Sequence, residues 1–116
     1  MAITREKLSG STGGGGVSII LTAATGTVIH TSTTATNTVE EVHIWFTNTT
    51  TTPQPVTVEW GGTATINNIR KTIPGQDGLF LVAPGMHLMS GLAVRAFANT
   101  ASVVIAYGFT NKITTG

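Results

Sequence analysis

The ten residues Val39–Asn48, VEEVHIWFTN, settle the fold class, because their apolar side chains recur at every second position. Alternation places Val42, Ile44 and Phe46 on one face and Glu41, His43 and Trp45 on the other. An amphipathic helix needs apolar spacings of three and four, and no such period persists over a useful length anywhere in the chain. The stretch therefore reads as a half-buried strand whose first set fills a core.

The same period extends outward. Pro55–Trp60 (PVTVEW) sends Val56, Val58 and Trp60 one way and Thr57 and Glu59 the other, before Gly61-Gly62 breaks the run. Between these strands, Thr47–Pro55 (TNTTTTPQP) carries two prolines and reads as a surface loop. Upstream, Val17–Ala23 (VSIILTA) and Thr27–Ser32 (TVIHTS) pair around Ala24-Thr25-Gly26. Downstream, Asn68–Ile73 ends at Pro74-Gly75, and Gly78–Val82 and Met86–Met89 flank Ala83-Pro84-Gly85, where Pro-Gly signals a turn. Leu92–Ala98 and Ser102–Thr110 pair around Asn99-Thr100-Ala101.

Eight or nine short strands at this spacing predict an all-β fold, a single-domain antiparallel β-sandwich of jelly-roll type over residues 17–113, with a tail at 114–116. In the last strand Val103, Ile105, Tyr107 and Phe109 oppose Val104 and Ala106. Both faces carry large residues, so the face away from the core is expected to be covered by a sheet or another subunit. Residues 1–16, MAITREKLSGSTGGGG, show no strand pattern and end in four glycines, which predicts an extended, flexible N-terminal arm.

Only 9% of the 116 residues are charged, for a formal net charge of +1, while 41% are hydrophobic. A typical domain carries about 25% charged residues. Threonine makes up about a fifth of the chain, and burying hydroxyls costs far less than burying ions, so this surface suits packing against neighbours. Cysteine is absent, which excludes disulfides, thiolate metal sites and cysteine nucleophiles. The six Lys and Arg are scattered apart from Arg70-Lys71, which argues against nucleic-acid binding. No apolar run approaches the ~18 residues of a membrane helix, and Met1–Gly16 lacks the apolar centre of a signal peptide, so a mature chain made in the cytoplasm is expected.

Tests for chemistry find no catalytic constellation. The carboxylates are Glu6, Glu40, Glu41, Glu59 and Asp77, among which only Glu41 and Glu59 suggest a two-carboxylate arrangement, and solvated or interface roles explain them more simply. Glu41 and His43 share a strand face as two corners of a metal site, without a third ligand in the pattern. No nucleophile elbow surrounds any serine, and the glycine run lacks the lysine of a phosphate loop. The expectation is no enzyme, no cofactor and no metal. Trp45, Trp60 and Tyr107 are candidate sugar-stacking rings, of which Trp45 reads as outward-facing.

The start MAITREKLSGST and the run TIPGQDGLFLVAPGMHLMSGLAVRAFANTASVVIAYGFTNKI resemble a group of small virion-associated structural proteins of tailed bacteriophages. Val58–Gly62 matches that group's VEWGG, Ile73–Gly85 its IPxxxGLxLVxPG turn, and Gly91–Ala98 its GLxVRAFA strand pair. The resemblance implies a virion location and a head decoration (cement) role, as a homo-oligomer such as a trimer, against the major capsid protein or another virion protein. A tail or neck component, or a receptor- or glycan-binding tip, is the alternative. Partner contacts are expected from Ile3, Arg5, Lys7 and Leu8 in the arm and from the aromatics Trp45, Phe97 and Tyr107.

Overall fold

Val42, Ile44 and Phe46 are each at most 1% exposed, and the strand that carries them, Thr38–Asn48, is the centre of the structure. The computed structural model describes residues 1–11 and 15–115. In chain order the strands are β1 (Ala2–Lys7), β2 (Val17–Ser18), β3 (Thr27–Thr31), β4 (Thr38–Asn48), β5 (Gln54–Trp60), β6 (Asn68–Ile73), β7 (Phe80–Leu88), β8 (Ala93–Ala98) and β9 (Val104–Thr114). One turn of 3-10 helix, Thr65–Asn67, precedes β6.

The strands form two antiparallel sheets. The first runs β1-β9-β4-β7, with β2 also on β9; the second runs β3-β8-β5-β6. Both sheets line one core: Val42, Ile44, Phe46, Val104 and Ala106 from the first, and Ile29, Val56, Val58, Ile73, Val94, Ala96 and Ala98 from the second. The period of two chose these residues correctly in β4 and β5; in β8 and β9 it separated two faces without telling which one fills the core. Trp60 closes one end by donating its indole N–H to the carbonyl of His87, from the second sheet to the first, at 3.0 Å.

The segment around Ala83-Pro84-Gly85 is not a turn. β7 runs through it, and its register against β4 shifts between Val42 and His43 and again between Ile44 and Trp45. Among the described residues β7 pairs with β4 alone, so Pro84 sits on an edge strand, where a missing N–H breaks no ladder. Gly85, at φ +83°, takes up the irregularity. Val17–Ala23 departs too: only Val17–Ser18 is strand, because Thr27 Oγ1 accepts the N–H groups of both Ile20 and Leu21 and turns the backbone away.

The described part of the N-terminal region is built into the body, where a free arm was expected. β1 adds an edge strand to β9, from Ala2 opposite Thr114 to Lys7 opposite Phe109, and all six of its side chains are exposed. Leu8 is then fully buried in the core, and the chain crosses to the second sheet. There Gly10 N–H donates to the Ile29 carbonyl at 2.9 Å, and a Cβ at Gly10 would lie 2.6 Å from that same oxygen. At Val17 the chain is back on β9. Residues 12–14, which hold part of the expected glycine tether, and Gly116 of the expected tail lie outside the described residues.

The two halves of this segment should behave differently. Leu8→Ala removes a fully buried side chain and should cost about 2–5 kcal/mol of stability in urea unfolding. Deleting residues 1–6 removes no core side chain and should shift the unfolding midpoint much less. Equal losses from the two changes would show that Leu8 is not a core residue.

Candidate functional site

β9 turns its small residues inward: Val104, Ala106 and Thr110 are buried, with Gly108 between them. Its large ones, Ile105, Tyr107, Phe109 and Ile113, face out, and the cross-strand register fixes what stands beside them. Tyr107 is opposite Trp45, Phe109 is opposite His43 and Lys7, Asn111 is opposite Glu41 and Arg5, and Ile113 is opposite Val39 and Ile3. On the far side of β4, Leu81 is opposite Trp45 and His87 is opposite Glu41. The outer face of the first sheet is thus aromatic in the middle and aliphatic at one end, with two cations along the β1 edge.

The aromatic centre is packed. The His43 and Phe109 rings stack at 4.6 Å and 22°, His43 and Trp45 at 6.3 Å and 15°, and Trp45 and Phe109 are tilted by 34° at 6.1 Å. The Arg5 guanidinium lies 4.5 Å from the Phe109 centroid, in cation–π range, and donates from Nε to Asn111 Oδ1 at 3.3 Å. Beneath His43 lies Gly85, where a Cβ would come within 3.0 Å of the imidazole. The irregularity in β7 therefore lets the ring lie down and complete the platform. Much of the face is open: Tyr107 is 39% exposed, Leu81 47% and Ile3 62%.

Ile3, Arg5, Lys7, Trp45 and Tyr107, expected to meet a partner, all lie on this one face. Leu8 does not; it is fully buried and has no surface to offer. Phe97 is on the outer face of the second sheet, opposite Thr57. Phe109 and His43 were not among the expected partner residues, although their strand parity with Tyr107 and Trp45 already placed them there.

Behind the face, a buried polar cluster ties the sheets together. Glu40 on β4 is 0% exposed, and His30 on β3 is 3% exposed. The Ser9 N–H donates to His30 Nδ1 at 2.9 Å, which leaves the ring proton on Nε2, where it is donated to Glu40 Oε1 at 2.6 Å. Glu40 also accepts the Thr33 N–H on Oε2 at 2.6 Å and the Thr110 hydroxyl on Oε1 at 3.1 Å. Thr31 N–H in turn donates to Ser9 Oγ at 2.8 Å. Burial alone would raise the Glu40 pKa, but the Thr33 N–H and the His30 and Thr110 contacts outweigh it and hold the carboxyl below its ordinary 4.5. The ion pair Lys112–Glu6, at 3.1 Å, is partly exposed and contributes about 0–1 kcal/mol.

Glu41 and Glu59 lie on different sheets, so they form no two-carboxylate site. Glu59 is buried on the side of β5 away from the core, and its Oε1 accepts the Gly26 N–H at 2.7 Å. Among the described residues no three His, Asp or Glu side chains converge as a metal site. No described helix is long and apolar enough to cross a membrane. No family model, curated protein or solved structure matches the chain.

The lowered pKa of Glu40 sets an acid limit. Its carboxylate is more favoured folded than unfolded, so its contribution is complete above pH 4.5 and is lost as pH falls through the lower folded value. Glu40→Gln should lower stability at neutral pH, by about 1–3 kcal/mol if the His30 N–H is left without an acceptor, and should flatten the acid limb of a stability–pH profile. A variant with an unchanged acid limb would show that another group governs it.

Proposed function

We propose that this chain is a structural virion protein of a tailed bacteriophage, a capsid decoration (cement) protein that lies against the major capsid protein or a neighbouring virion protein. The observation that carries the proposal is the outer face of β1-β9-β4-β7, where the half-buried Trp45, Phe109 and His43 and the exposed Tyr107 form an aromatic centre flanked by the exposed Ile3 and Leu81. Exposed apolar areas rimmed by polar groups mark interaction sites, and large rings dominate the binding energy of such patches. The sparse charge and the abundant threonine suit repeated packing contacts of this kind.

Strand order supports a finer reading of the fold. The orders β1/β2-β9-β4-β7 and β3-β8-β5-β6 fit an eight-stranded jelly roll in which β1 and β2 share one edge position beside β9. In this reading the N-terminal segment acts as an edge strand. The outer edge of β1 has no strand partner among the described residues, so its backbone is free to pair with a neighbour. A homo-oligomer, a trimer in the first instance, brings several such faces and edges onto a capsid at once. The role needs no catalytic group, cofactor, nucleic acid or membrane.

The same face would serve a tail, neck or receptor-binding position, and copy number separates these readings. Quantitative gels of purified virions should show hundreds of copies for a decoration protein, against a few to a dozen for a tail component. A Trp45→Ala, Phe109→Ala variant should stay folded and lose at least about thirtyfold in affinity for undecorated particles, the equivalent of ~2 kcal/mol for hot-spot rings. Undiminished decoration by that variant would remove the assignment.

A further inference from the structure

The second sheet carries a site of a different kind on its own outer face. Across β6, β5 and β8 the register sets Arg70, Thr57 and Phe97 side by side, and Thr72 stands opposite Pro55 in the next row. Asn99, just beyond β8, is held there by its N–H to the Pro55 carbonyl at 3.4 Å. These residues line a groove of ≈ 340 Å³, within the roughly 300–1,000 Å³ range of small-molecule sites.

Its chemistry is specific. Phe97 and the nine-tenths-buried Thr57 form the floor, and the Thr57 hydroxyl has no hydrogen-bond partner among the described residues. Arg70 forms the wall and has no carboxylate partner among the described residues, where the close acid–base contacts are His30–Glu40 and Lys112–Glu6. Lys71 also lines the groove, while its ammonium lies 5.8 Å from the Phe80 ring of the first sheet. Glu59, the acid on the same face of β5, is turned onto Gly26 N–H and buried. Because Glu40 and Glu59 are both buried, the surface shows six cations against three carboxylates, well above the formal +1. An anionic ligand fits that balance.

We infer that this groove binds an acidic saccharide. Arg70 pairs with the sugar's carboxylate, the Phe97 ring stacks on the apolar face of the pyranose, and Thr57, Thr72 and Asn99 meet its hydroxyls. A bare phosphate would leave the aromatic floor unused. An acidic peptide would leave the cluster of neutral hydroxyl and amide groups without equivalent partners. The inference is independent of the assembly face, which lies on the other sheet.

The test titrates the full-length chain by NMR or calorimetry with a galacturonic acid trisaccharide, a neutral galactose trisaccharide and inorganic phosphate. Saturable binding of the uronate alone is expected, perturbing Phe97 and Thr57 resonances and weakening about tenfold or more in Arg70→Gln, a change at an exposed side chain. The Trp45→Ala, Phe109→Ala variant should bind the uronate normally, so failure here and failure of the assembly reading are distinguishable. Absence of uronate binding, equal binding of the neutral sugar, equal binding of phosphate, or an unchanged affinity in Arg70→Gln would each overturn the proposal.

Discussion

A carboxylate with no access to water has to find its hydrogen-bond donors within the protein, and Glu40 draws its donors from three directions. His30 comes from the second sheet, Thr110 from the neighbouring strand and the Thr33 N–H from the connection between β3 and β4. His30 meets its own requirement through the Ser9 backbone, which pulls the N-terminal segment over the end of both sheets. Leu8 enters the core at that crossing, and β1 is thereby aligned on β9. The edge of the aromatic face, with Arg5 over Phe109, thus depends on a buried bond on the opposite side of the same sheet.

Much of the architecture was legible because one face of each main strand is buried and alternation reports it directly. Val42, Ile44 and Phe46, or Val56 and Val58, have no other arrangement that hides them all. Ala83-Pro84-Gly85 misled because the same dipeptide serves a tight turn and an edge-strand irregularity, and only the neighbouring strand tells them apart. The N-terminal region misled for another reason. Its order comes from contacts with Ile29, His30 and residues 109–114, far away in sequence, and no local period announces them.

The candidate face was legible in part. Trp45 and Tyr107 follow from strand parity, and Arg5, Lys7 and Ile3 join them because β1 pairs in a register that puts odd-numbered residues outward. Leu8, the even-numbered position just past the strand, faces inward, so an apolar residue that looked like a plug for a partner plugs this chain's own core. Phe97 was singled out for its size alone. Its place beside Thr57 and Arg70 gives it a setting unlike that of Trp45, with hydroxyls and a guanidinium around it in place of other rings.

The pairing of Ala2 with Thr114 has a mechanical consequence. A load that pulls these two residues apart acts on the β1–β9 ladder from its open end, so the rungs are stretched one after another and not in parallel. Peeling should be easy as far as Lys7, since no side chain of β1 is buried. It then meets Leu8 and the Ser9–His30 contact, where a packed side chain and a shielded hydrogen bond must give way together. The strand is a compliant lead in series with a stiff anchor, a combination that lets the edge yield to strain while the two sheets stay closed.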